Sequence, residues 1–254
     1  MTELVGRTVL VTGASKGIGA QTVRALGGAG ANVIAHYNRD PDGAREAVNG
    51  LPDERVHLAQ ADLAEPGAAR ELWQDAIGWR GQVDVLVNNA AVLTQSPLDA
   101  SDDDWDAVWA LTYATNVAGP MALTREAVRH FRSRGSGVLI TMSSWVAQRG
   151  SADPDLVAYS ASKAAIKAAT QTLARAYAAQ GLLCYMIAPG MVRTRMSEIA
   201  TARRGGEPGT RGELAMGSWV PPTEIADLVV FLASGTRRHL SGATFDVNGA
   251  TYIR

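Results

Sequence analysis

A tyrosine and a lysine four positions apart, Tyr159 and Lys163, are the residues whose types and spacing could do acid–base chemistry. Residues 164–179 after them contain good helix formers and neither Gly nor Pro, which predicts a helix. Because residues i and i+4 share a helix face, the phenol and the ammonium should point the same way. A nearby cation lowers the pKa of a tyrosine from its usual ~10, so the pair could exchange a proton near neutral pH. The same spacing is also common on ordinary helix surfaces.

A glycine-rich turn, GASKGIG at residues 13–19, follows the first predicted strand and opens a helical pattern. Strand, glycine turn and helix together bind phosphate, because glycines let the backbone approach it and the helix N-terminus supplies N–H groups. The spacing differs from G-x-G-x-x-G and lacks the ending of a P-loop. The turn therefore predicts a nucleotide site, with a tight turn that binds nothing as the alternative.

The same turn also satisfies G-x-S-x-G, the nucleophile elbow of α/β-hydrolases, with Ser15 at its centre. His239 lies late in the chain and Asp227 lies between them, so a Ser15–Asp227–His239 triad in a serine esterase is a second hypothesis. That elbow normally follows several strands, one of which precedes the loop that completes the oxyanion hole. Here a single strand precedes Ser15 and no His-Gly-Gly-type loop lies upstream, which argues against the hydrolase.

Composition narrows the class of protein. The chain has 254 residues, 46% hydrophobic and 19% charged, and a net charge of -1, so it is typical of a globular protein with no bulk attraction to nucleic acid or an acidic membrane. One cysteine, Cys184, allows no intrachain disulfide and suits the cytoplasm. Neither a signal peptide nor an apolar run of ~18 residues is recognised. No metal is expected, because the histidines lack ligand spacing: His36, His57, His130 and His239.

Strands and helices alternate along almost the whole chain. The strands are short and mostly apolar, which is typical of parallel strands covered on both faces. Strands are predicted at residues 8–11, 32–36, 56–60, 83–87, 138–142, 182–187 and 244–247. Helices are predicted at residues 18–28, from 40 onward, 66–79, 101–132 with a bend at 119–120, 158–180 and 223–234.

The fold class that follows is α/β. We expect one doubly wound Rossmann domain over residues 1–254, with a mostly parallel seven-stranded sheet and helices on both faces. Residues 191–221 carry Gly, Arg and Pro with little periodicity, so they are expected to form a long loop that acts as a substrate lid.

Several motifs, in order along residues 7–249, resemble those of the short-chain dehydrogenase/reductase family, in its 3-oxoacyl-reductase-like subgroup. The matching segments are Thr12 to Gly19, Ala61-Asp62-Leu63, Asn88-Asn89-Ala90-Ala91, Asn116, Ser143-Ser144, Tyr159 with Lys163, and Pro189-Gly190-Met191-Val192-Arg193-Thr194. Two departures remove no catalytic group. Ala91 replaces the last Gly of an NNAG motif, and Val247-Asn248-Gly249-Ala250 replaces a VDGG-like ending.

The resemblance implies an oxidoreductase that transfers a hydride between a nicotinamide cofactor and a carbonyl or carbinol carbon. Tyr159 would be the general acid in reduction, and Lys163 would lower its pKa and bind the ribose hydroxyls. Ser144 would hydrogen-bond the substrate oxygen, with Ser143 as a supporting residue. Asn116 would hold a water that links Lys163 to solvent. A non-catalytic nucleotide-binding relative is the third hypothesis, and the four intact catalytic residues argue against it.

The resemblance also implies a cofactor site. Its residues would be Gly13, Ser15, Lys16, Gly17, Ile18, Gly19, Tyr37, Asn38, Arg39, Asp62, Leu63, Asn89, Ala90, Ala91, Tyr159, Lys163, Pro189, Gly190, Val192 and Thr194. NAD-preferring members carry an acid at the end of the second strand, where this chain has Tyr37. Lys16 and Arg39 supply two cations there, so NADP(H) is expected over NAD(H). Two solvated surface charges are the alternative.

The substrate is predicted only as a small carbonyl or alcohol. Its pocket candidates are Ala91, Leu93, Trp145, Gln148 and the lid, with residues 151–157 beside them. The lid carries five arginines, which could suit an anionic or acyl-phosphopantetheine-like substrate or lie in solvent: Arg193, Arg195, Arg203, Arg204 and Arg211. By resemblance, the helices at 101–132 and 158–180 build a dimer interface, so a homo-oligomer, dimer or tetramer, is expected.

Overall fold

The computed structural model describes residues 3–254, and the first two residues of the predicted domain lie outside it. Within this range seven strands form one parallel sheet, in the order β3-β2-β1-β4-β5-β6-β7. The strands are β1 (Thr8–Val11), β2 (Asn32–Tyr37), β3 (Val56–Gln60), β4 (Val85–Asn88), β5 (Gly137–Met142), β6 (Leu182–Pro189) and β7 (Thr244–Val247). The predicted α/β fold is confirmed, and the sheet is parallel throughout.

Ten α-helices connect the strands in the described part of the chain. They are α1 (Gly17–Gly28), α2 (Pro41–Val48), α3 (Ala68–Arg80), α4 (Asp102–Tyr113), α5 (Gly119–Arg134), α6 (Val146–Arg149), α7 (Val157–Tyr177), α8 (Arg195–Thr201), α9 (Gly206–Thr210) and α10 (Pro222–Ala233). Short 3-10 turns lie at Asp53–Arg55, Pro154–Leu156, Ala178–Gln180, Ala202–Arg204, Arg211–Glu213 and Arg238–Leu240. None of the described helices is long and apolar enough to cross a membrane.

Both faces of the sheet are covered, which explains why its strands are apolar without alternation. On β1, Val9 and Val11 pack into one core with side chains of α1 and α10, such as Val23 and Val229. Leu10 between them belongs to the opposite core, with side chains of α3, α5 and α7. Strand residues that point either way are therefore all removed from water, which stabilises the fold by roughly 25 cal/mol per Å² of buried apolar surface.

The long helix predicted at 101–132 is divided earlier than expected. Ser101 caps α4 by accepting a hydrogen bond from Asp104 N, and a π-helical turn, Ala114–Ala118, separates α4 from α5. Pro120 has no N–H, so the carbonyl of Asn116 lacks its α-helical donor. Gly119 is needed for close packing, because a Cβ there would lie 2.1 Å from the carbonyl oxygen of Leu63.

The lid at 191–221 is not the irregular loop that its composition predicts. It contains α8, α9 and two 3-10 turns, and its ends meet in a bridge between Val192 and Val220. Trp219 is 2% exposed and donates from its indole to Thr210 Oγ1 at 2.9 Å. A buried tryptophan thus gives this segment a small core that its weak periodicity did not reveal.

Candidate active site

The predicted catalytic groups meet at the carboxyl edge of the sheet. Ser144 follows β5, and Tyr159 and Lys163 lie on α7. The Ser144 hydroxyl lies close enough to the Tyr159 side chain to lower its pKa. The Lys163 ammonium lies 5.7 Å from the centroid of the Tyr159 ring, on the same side of the helix. The structure therefore brings together the hydroxyl, phenol and ammonium that the sequence pattern predicted as one group.

Burial sets the acid–base properties of the pair. It raises the pKa of Tyr159 to about 12, against a smaller lowering by the hydrogen bond to Ser144. Burial likewise lowers the pKa of Lys163 to about 8. The expectation that the lysine holds the pKa of Tyr159 below its usual value is therefore wrong for the protein alone, because burial of the phenol raises that pKa and the lowering interaction comes from Ser144. At neutral pH Tyr159 holds its proton and is in the form that can donate it.

The neighbouring polar groups fix the positions of these side chains. The Lys163 ammonium donates to the carbonyl of Met142 at 3.0 Å, at the end of β5. The hydroxyl of Ser143 donates to the backbone carbonyl of Lys163 at 3.2 Å. Ser143 thus tethers α7 to β5, as expected of a supporting residue, while Ser144 is the serine whose hydroxyl reaches Tyr159.

Asn116 lies in the π-helical turn and its amide is engaged by protein groups. Its Nδ2 donates to Val92 O at 2.9 Å and to Ser162 Oγ at 3.1 Å, and its Oδ1 accepts from Val92 N at 2.8 Å. The side chain therefore fixes the segment after β4 against α7. Because its amide atoms are engaged, the predicted water link from Asn116 to Lys163 stays a prediction.

The glycine turn presents an uncapped helix end. Within residues 3–254, no side chain caps the amino end of α1 and no acid lies in its first turn, whereas Asp40 caps α2. The N–H groups of this turn are therefore suited to an anion such as the pyrophosphate of a dinucleotide. Gly13 and Gly17 have φ of 70° and 58°, a conformation that favours glycine. The donor set of the turn fits the predicted cofactor.

Asn89 and Thr12 hold this turn against the end of β4. Asn89 Nδ2 donates to the carbonyls of Thr12 and Gly13 at 2.8 and 3.1 Å. Thr12 Oγ1 accepts from the backbone N–H groups of Asn89 and Ala90, each at 3.0 Å. The two predicted motifs thus form one hydrogen-bonded unit, although Thr12 and Asn89 are 77 positions apart in the chain.

The end of β2 and the Asp62 segment form the second part of the predicted cofactor site. Arg39 is 87% exposed and lies 3.9 Å from the Asp62 carboxylate. Lys16 is also exposed. The carboxylate of Asp40 accepts from Gly43 N at 2.9 Å, and Ser15 Oγ donates to the Asp40 carbonyl at 2.7 Å. The nearest acid after β2 is thus engaged in capping α2.

The other predicted cofactor residues also lie around this edge. Asn38 is exposed, Leu63 is buried, and partial burial is found at Ile18, Tyr37, Ala90 and Ala91. The segment from Pro189 to Thr194 runs between the glycine turn and the catalytic groups. A Cβ on Gly17 would lie 3.1 Å from the Thr194 methyl, and one on Gly190 would lie 3.3 Å from the Trp145 ring. Val192, buried between them, anchors the segment.

The lid arginines lie beside acids. Arg193 forms a bidentate pair with Glu207, at 2.9 and 2.8 Å, and Glu207 also accepts from Trp219 N at 3.2 Å. Hydrogen bonding to Arg193 lowers the pKa of Glu207 to about 2. Further pairs join Arg195 to Glu198 and Arg204 to Glu213. Arg211 is exposed, and the side chain of Arg203 lies outside the described part of the structure. At least three of the five arginines are thus partnered within the lid.

His36 is a site residue that the sequence analysis missed. Its Nδ1 lies 3.1 Å from Gly13 N and its Nε2 lies 3.0 Å from the carbonyl of Ala61. The side chain is 2% exposed. Its position at the end of an apolar strand was the available signal, since buried histidines need partners for both ring nitrogens.

The Ser15–Asp227–His239 triad does not form. Ser15 lies at the carboxyl end of β1, and its hydroxyl donates to Asp40 O. His239 follows Arg238, which borders a cleft with Gly6 and Gly137 at the amino ends of β1 and β5. The histidine and the serine thus lie at opposite ends of the sheet, so the hydrolase hypothesis is wrong.

Known proteins share both the sequence and the architecture. Residues 7–205 match the short chain dehydrogenase family. The 3beta-hydroxysteroid dehydrogenase 1 of Eggerthella lenta is 35% identical over 257 residues, covering 97% of this chain and 94% of that protein. A 3-oxoacyl (acyl-carrier-protein) reductase from Agrobacterium tumefaciens, crystallised with NADP bound, has a TM-score of 0.87 and 30% identity, covering 98% of this chain and 95% of the other.

A 3-ketoacyl-(acyl-carrier-protein) reductase from Brucella melitensis, complexed with NADH, has a TM-score of 0.86 and 26% identity, covering 99% of this chain and 100% of the other. The family match spans well over half of the chain and includes the glycine turn, the serine after β5 and the Tyr159–Lys163 pair. This protein therefore belongs to the short-chain dehydrogenase family and is an oxidoreductase.

Proposed function

We propose that the protein is an NADPH-dependent reductase that converts a carbonyl group, in a ketone, an aldehyde or a 3-oxoacyl group, to an alcohol. The observation that carries the proposal is that Ser144, Tyr159 and Lys163 lie together, with Ser144 and Lys163 buried, in a chain whose glycine turn opens the uncapped helix α1. A hydroxyl that can orient an oxygen, a protonated phenol and a cation are the groups that protonation of a developing alkoxide requires.

Each side chain then has a defined task. The nicotinamide, when bound, supplies the hydride for the carbonyl carbon. Ser144 donates a hydrogen bond to the carbonyl oxygen, and Tyr159 transfers its phenolic proton to that oxygen. Lys163, whose pKa of about 8 keeps it mostly protonated at pH 7, stabilises the phenolate that remains. Burial of the phenol removes water from it, which strengthens these electrostatic interactions.

The cofactor preference rests on charge at the end of β2. Arg39 and Lys16 are exposed cations, and the carboxylate of Asp40 is engaged by Gly43 N. A 2′-phosphate would therefore meet guanidinium and ammonium groups and no free acid from β2. One of the two solved relatives holds NADP and the other NADH, so they do not indicate which cofactor this protein prefers. The proposed preference for NADPH therefore depends on the charges alone.

Titration with NADPH and NADH, followed by fluorescence, tests the cofactor assignment on wild type and Tyr159→Phe. We expect both proteins to bind NADPH with affinities within about two-fold, because the phenolic oxygen is not a main cofactor anchor. With a panel of ketones, aldehydes and β-keto thioesters, kcat of Tyr159→Phe should fall by about 10³-fold, the range of a lost general acid. Absence of binding to either dinucleotide would refute the proposal, and binding without turnover of any panel member would favour the non-catalytic relative.

The NADPH preference is tested separately by Arg39→Asp. We expect the variant to lose roughly ten-fold or more in NADPH affinity and little in NADH affinity, because the charge reversal acts on the 2′-phosphate. Arg45→Asp is the matched control, since Arg45 is an exposed arginine on α2 that pairs with Asp42. Equal losses for both cofactors in Arg39→Asp would show that Arg39 does not select the phosphate.

The last parts of the proposal are the oligomeric state of the protein and its cellular compartment. We propose a homo-oligomer built through α4, α5 and α7, as the family resemblance implies, and Leu111 of α4 is exposed. Light scattering on the purified protein would show a dimer or tetramer, and a monomer at micromolar concentration would contradict it. The single buried thiol of Cys184 fits a reducing compartment such as the cytoplasm.

A further inference from the structure

His36 links two segments that are far apart in the sequence. It lies on β2, between β1 and β3, and is 2% exposed. One ring nitrogen is 3.1 Å from the backbone nitrogen of Gly13, at the start of the glycine turn. The other is 3.0 Å from the carbonyl oxygen of Ala61, the residue before Asp62. A single rigid ring thus spans the distance between the two segments.

The partners determine the tautomer of the ring. A backbone N–H can only donate, so Nδ1 must accept from Gly13 and carries no proton. A carbonyl can only accept, so Nε2 must carry the proton and donate it to Ala61. Both bonds are satisfied together only by the neutral Nε2–H form.

Burial favours this form. Desolvation lowers the pKa of His36 to about 4, against smaller raising effects of the Ala61 carbonyl and the Asp62 carboxylate. The imidazole is therefore neutral at pH 7, when its Nδ1 lone pair is available to the Gly13 N–H.

The backbone of β2 supports the same two segments. The carbonyl of His36 accepts from Ala14 N at 2.8 Å, and the carbonyl of Tyr37 accepts from Ala61 N at 3.0 Å. These bonds hold each segment to β2 separately. The imidazole is the group that joins them, because its two nitrogens bind one segment each.

We propose that His36 is a positioning residue for the adenosine half of the cofactor, and that its neutral imidazole sets the spacing between the glycine turn and the Ala61-Asp62-Leu63 segment. The inference rests on the proposed dinucleotide site. Without the ring, Gly13 N–H and Ala61 C=O lose a buried partner, and a group left unpaired away from water is costly. The two segments are then free to move apart from the geometry that fits phosphate and adenine.

Two substitutions separate this role from packing. His36→Leu has a similar volume and no polar side-chain atom, so it removes both bonds. His36→Asn retains an acceptor and a donor, but its short side chain reaches one partner at most. His57→Asn is the matched control, because His57 lies on neighbouring β3, opposite Ile34 in register, and binds Asp75 at 2.8 Å near the surface.

The probes are NADPH and adenosine 2′,5′-bisphosphate, which carries the adenosine half alone. We expect His36→Leu to bind both about ten-fold or more weakly, and by the same factor. His36→Asn should show a smaller loss of about three-fold or more, and His57→Asn none. The kcat of the two His36 variants is measured at saturating NADPH with the carbonyl compound that wild type reduces fastest. It should stay within about two-fold of the wild-type value, since Tyr159 and Ser144 are unchanged.

The outcomes distinguish this inference from the proposed function. If wild type binds neither probe, the dinucleotide site fails and the inference fails with it. If wild type binds both probes and folded His36→Leu binds them equally well, only the role of His36 is refuted. If His36→Leu does not fold, His36→Asn decides, and unchanged affinity there refutes the inference. A lower melting temperature with unchanged affinity would show a role in stability alone.

Discussion

The glycine turn and the lid at 191–221 are neighbours, since a Cβ on Gly17 would lie 3.1 Å from the Thr194 methyl, but they are held by different interactions. The turn is fixed by side-chain to backbone hydrogen bonds from Thr12, Asn89 and His36, which are wholly or partly buried. The lid is fixed mainly by ion pairs between its own surface residues, such as Arg193 with Glu207. Trp219 supplies its small apolar core.

The difference has a physical consequence for function. Buried hydrogen bonds to the backbone cost free energy when broken and tolerate few geometries, so the cofactor half should be rigid before the cofactor binds. Exposed ion pairs contribute little free energy and exchange readily with water. We therefore expect the lid to adapt to the substrate while the cofactor site stays in place.

The largest effect is expected from a methyl group added inside the rigid half. In Gly19→Ala the new Cβ would lie 2.1 Å from the Gly13 carbonyl oxygen and 2.7 Å from Asn89 Nδ2, so the turn must open. Overpacking of this kind costs about 1–3 kcal/mol, and we expect NADPH affinity to fall by roughly 30-fold or more in a titration.

Gly28→Ala is the control for this substitution. Gly28 is also a residue of α1, and a Cβ there meets nothing within 4 Å. We expect it to leave NADPH affinity unchanged and to stabilise the helix by up to roughly 0.5 kcal/mol. Similar NADPH affinities for the two alanine variants would contradict a rigid, preformed turn.

The buried cation is expected to change folding stability rather than cofactor affinity. Lys163 releases its proton near pH 8 in the folded protein and near its usual 10.5 in the unfolded chain. Between these values the unfolded state binds more protons, so folding stability from this group rises with pH. Relative to wild type, the free energy of unfolding of Lys163→Met should therefore fall by about 3 kcal/mol from pH 7.5 to 10.5.

Urea unfolding of wild type and Lys163→Met at several pH values measures this difference. Groups that titrate equally in both proteins cancel when the two free energies of unfolding are subtracted. Lys167→Met is the matched control, because it also removes a cation from α7. The Lys167 ammonium lies 3.4 Å from the side-chain oxygen of Gln148 rather than on a buried backbone carbonyl. An equal pH dependence in the two variants would show that burial of Lys163 is not its cause.

Motif spacing and hydrophobic pattern were enough to predict the sheet. The bounds of β1, β3 and β7 agree with the prediction, because short apolar runs between turn residues leave little choice of register. The proximity of Ser144, Tyr159 and Lys163 was also predicted, since i, i+4 geometry and strand ends fix where side chains meet, while their roles stay a prediction.

Features that depend on contacts across the sequence were missed. The bridge through His36 joins residues 23 and 25 positions away, and no local pattern marks it. The pKa of Tyr159 was assigned the wrong direction, because neighbour charge is visible in the sequence and burial is not. The lid was predicted as a loop because the periodicity of its short helices is weak. These helices are stabilised by a contact between Trp219 and Thr210 that the sequence pattern does not show.

The smallest effect should come from the lid. In Glu207→Gln the fork to Arg193 is lost and Trp219 N keeps only a neutral acceptor. We expect trypsin to cleave at the lid arginines several-fold faster, because local opening exposes the backbone, while NADPH affinity stays within about two-fold. Glu198→Gln is the control, since Glu198 pairs with exposed Arg195 and supports no buried group.

The Arg193–Glu207 ion pair is fully formed above the usual pKa range of a glutamate and is lost as the pH falls toward the pKa of Glu207 near 2. With pepsin as the protease, the cleavage rates of wild type and Glu207→Gln should therefore converge in acid. A matching loss of NADPH affinity in Glu207→Gln would show that lid and cofactor site form one rigid unit, and the division between them would then fail.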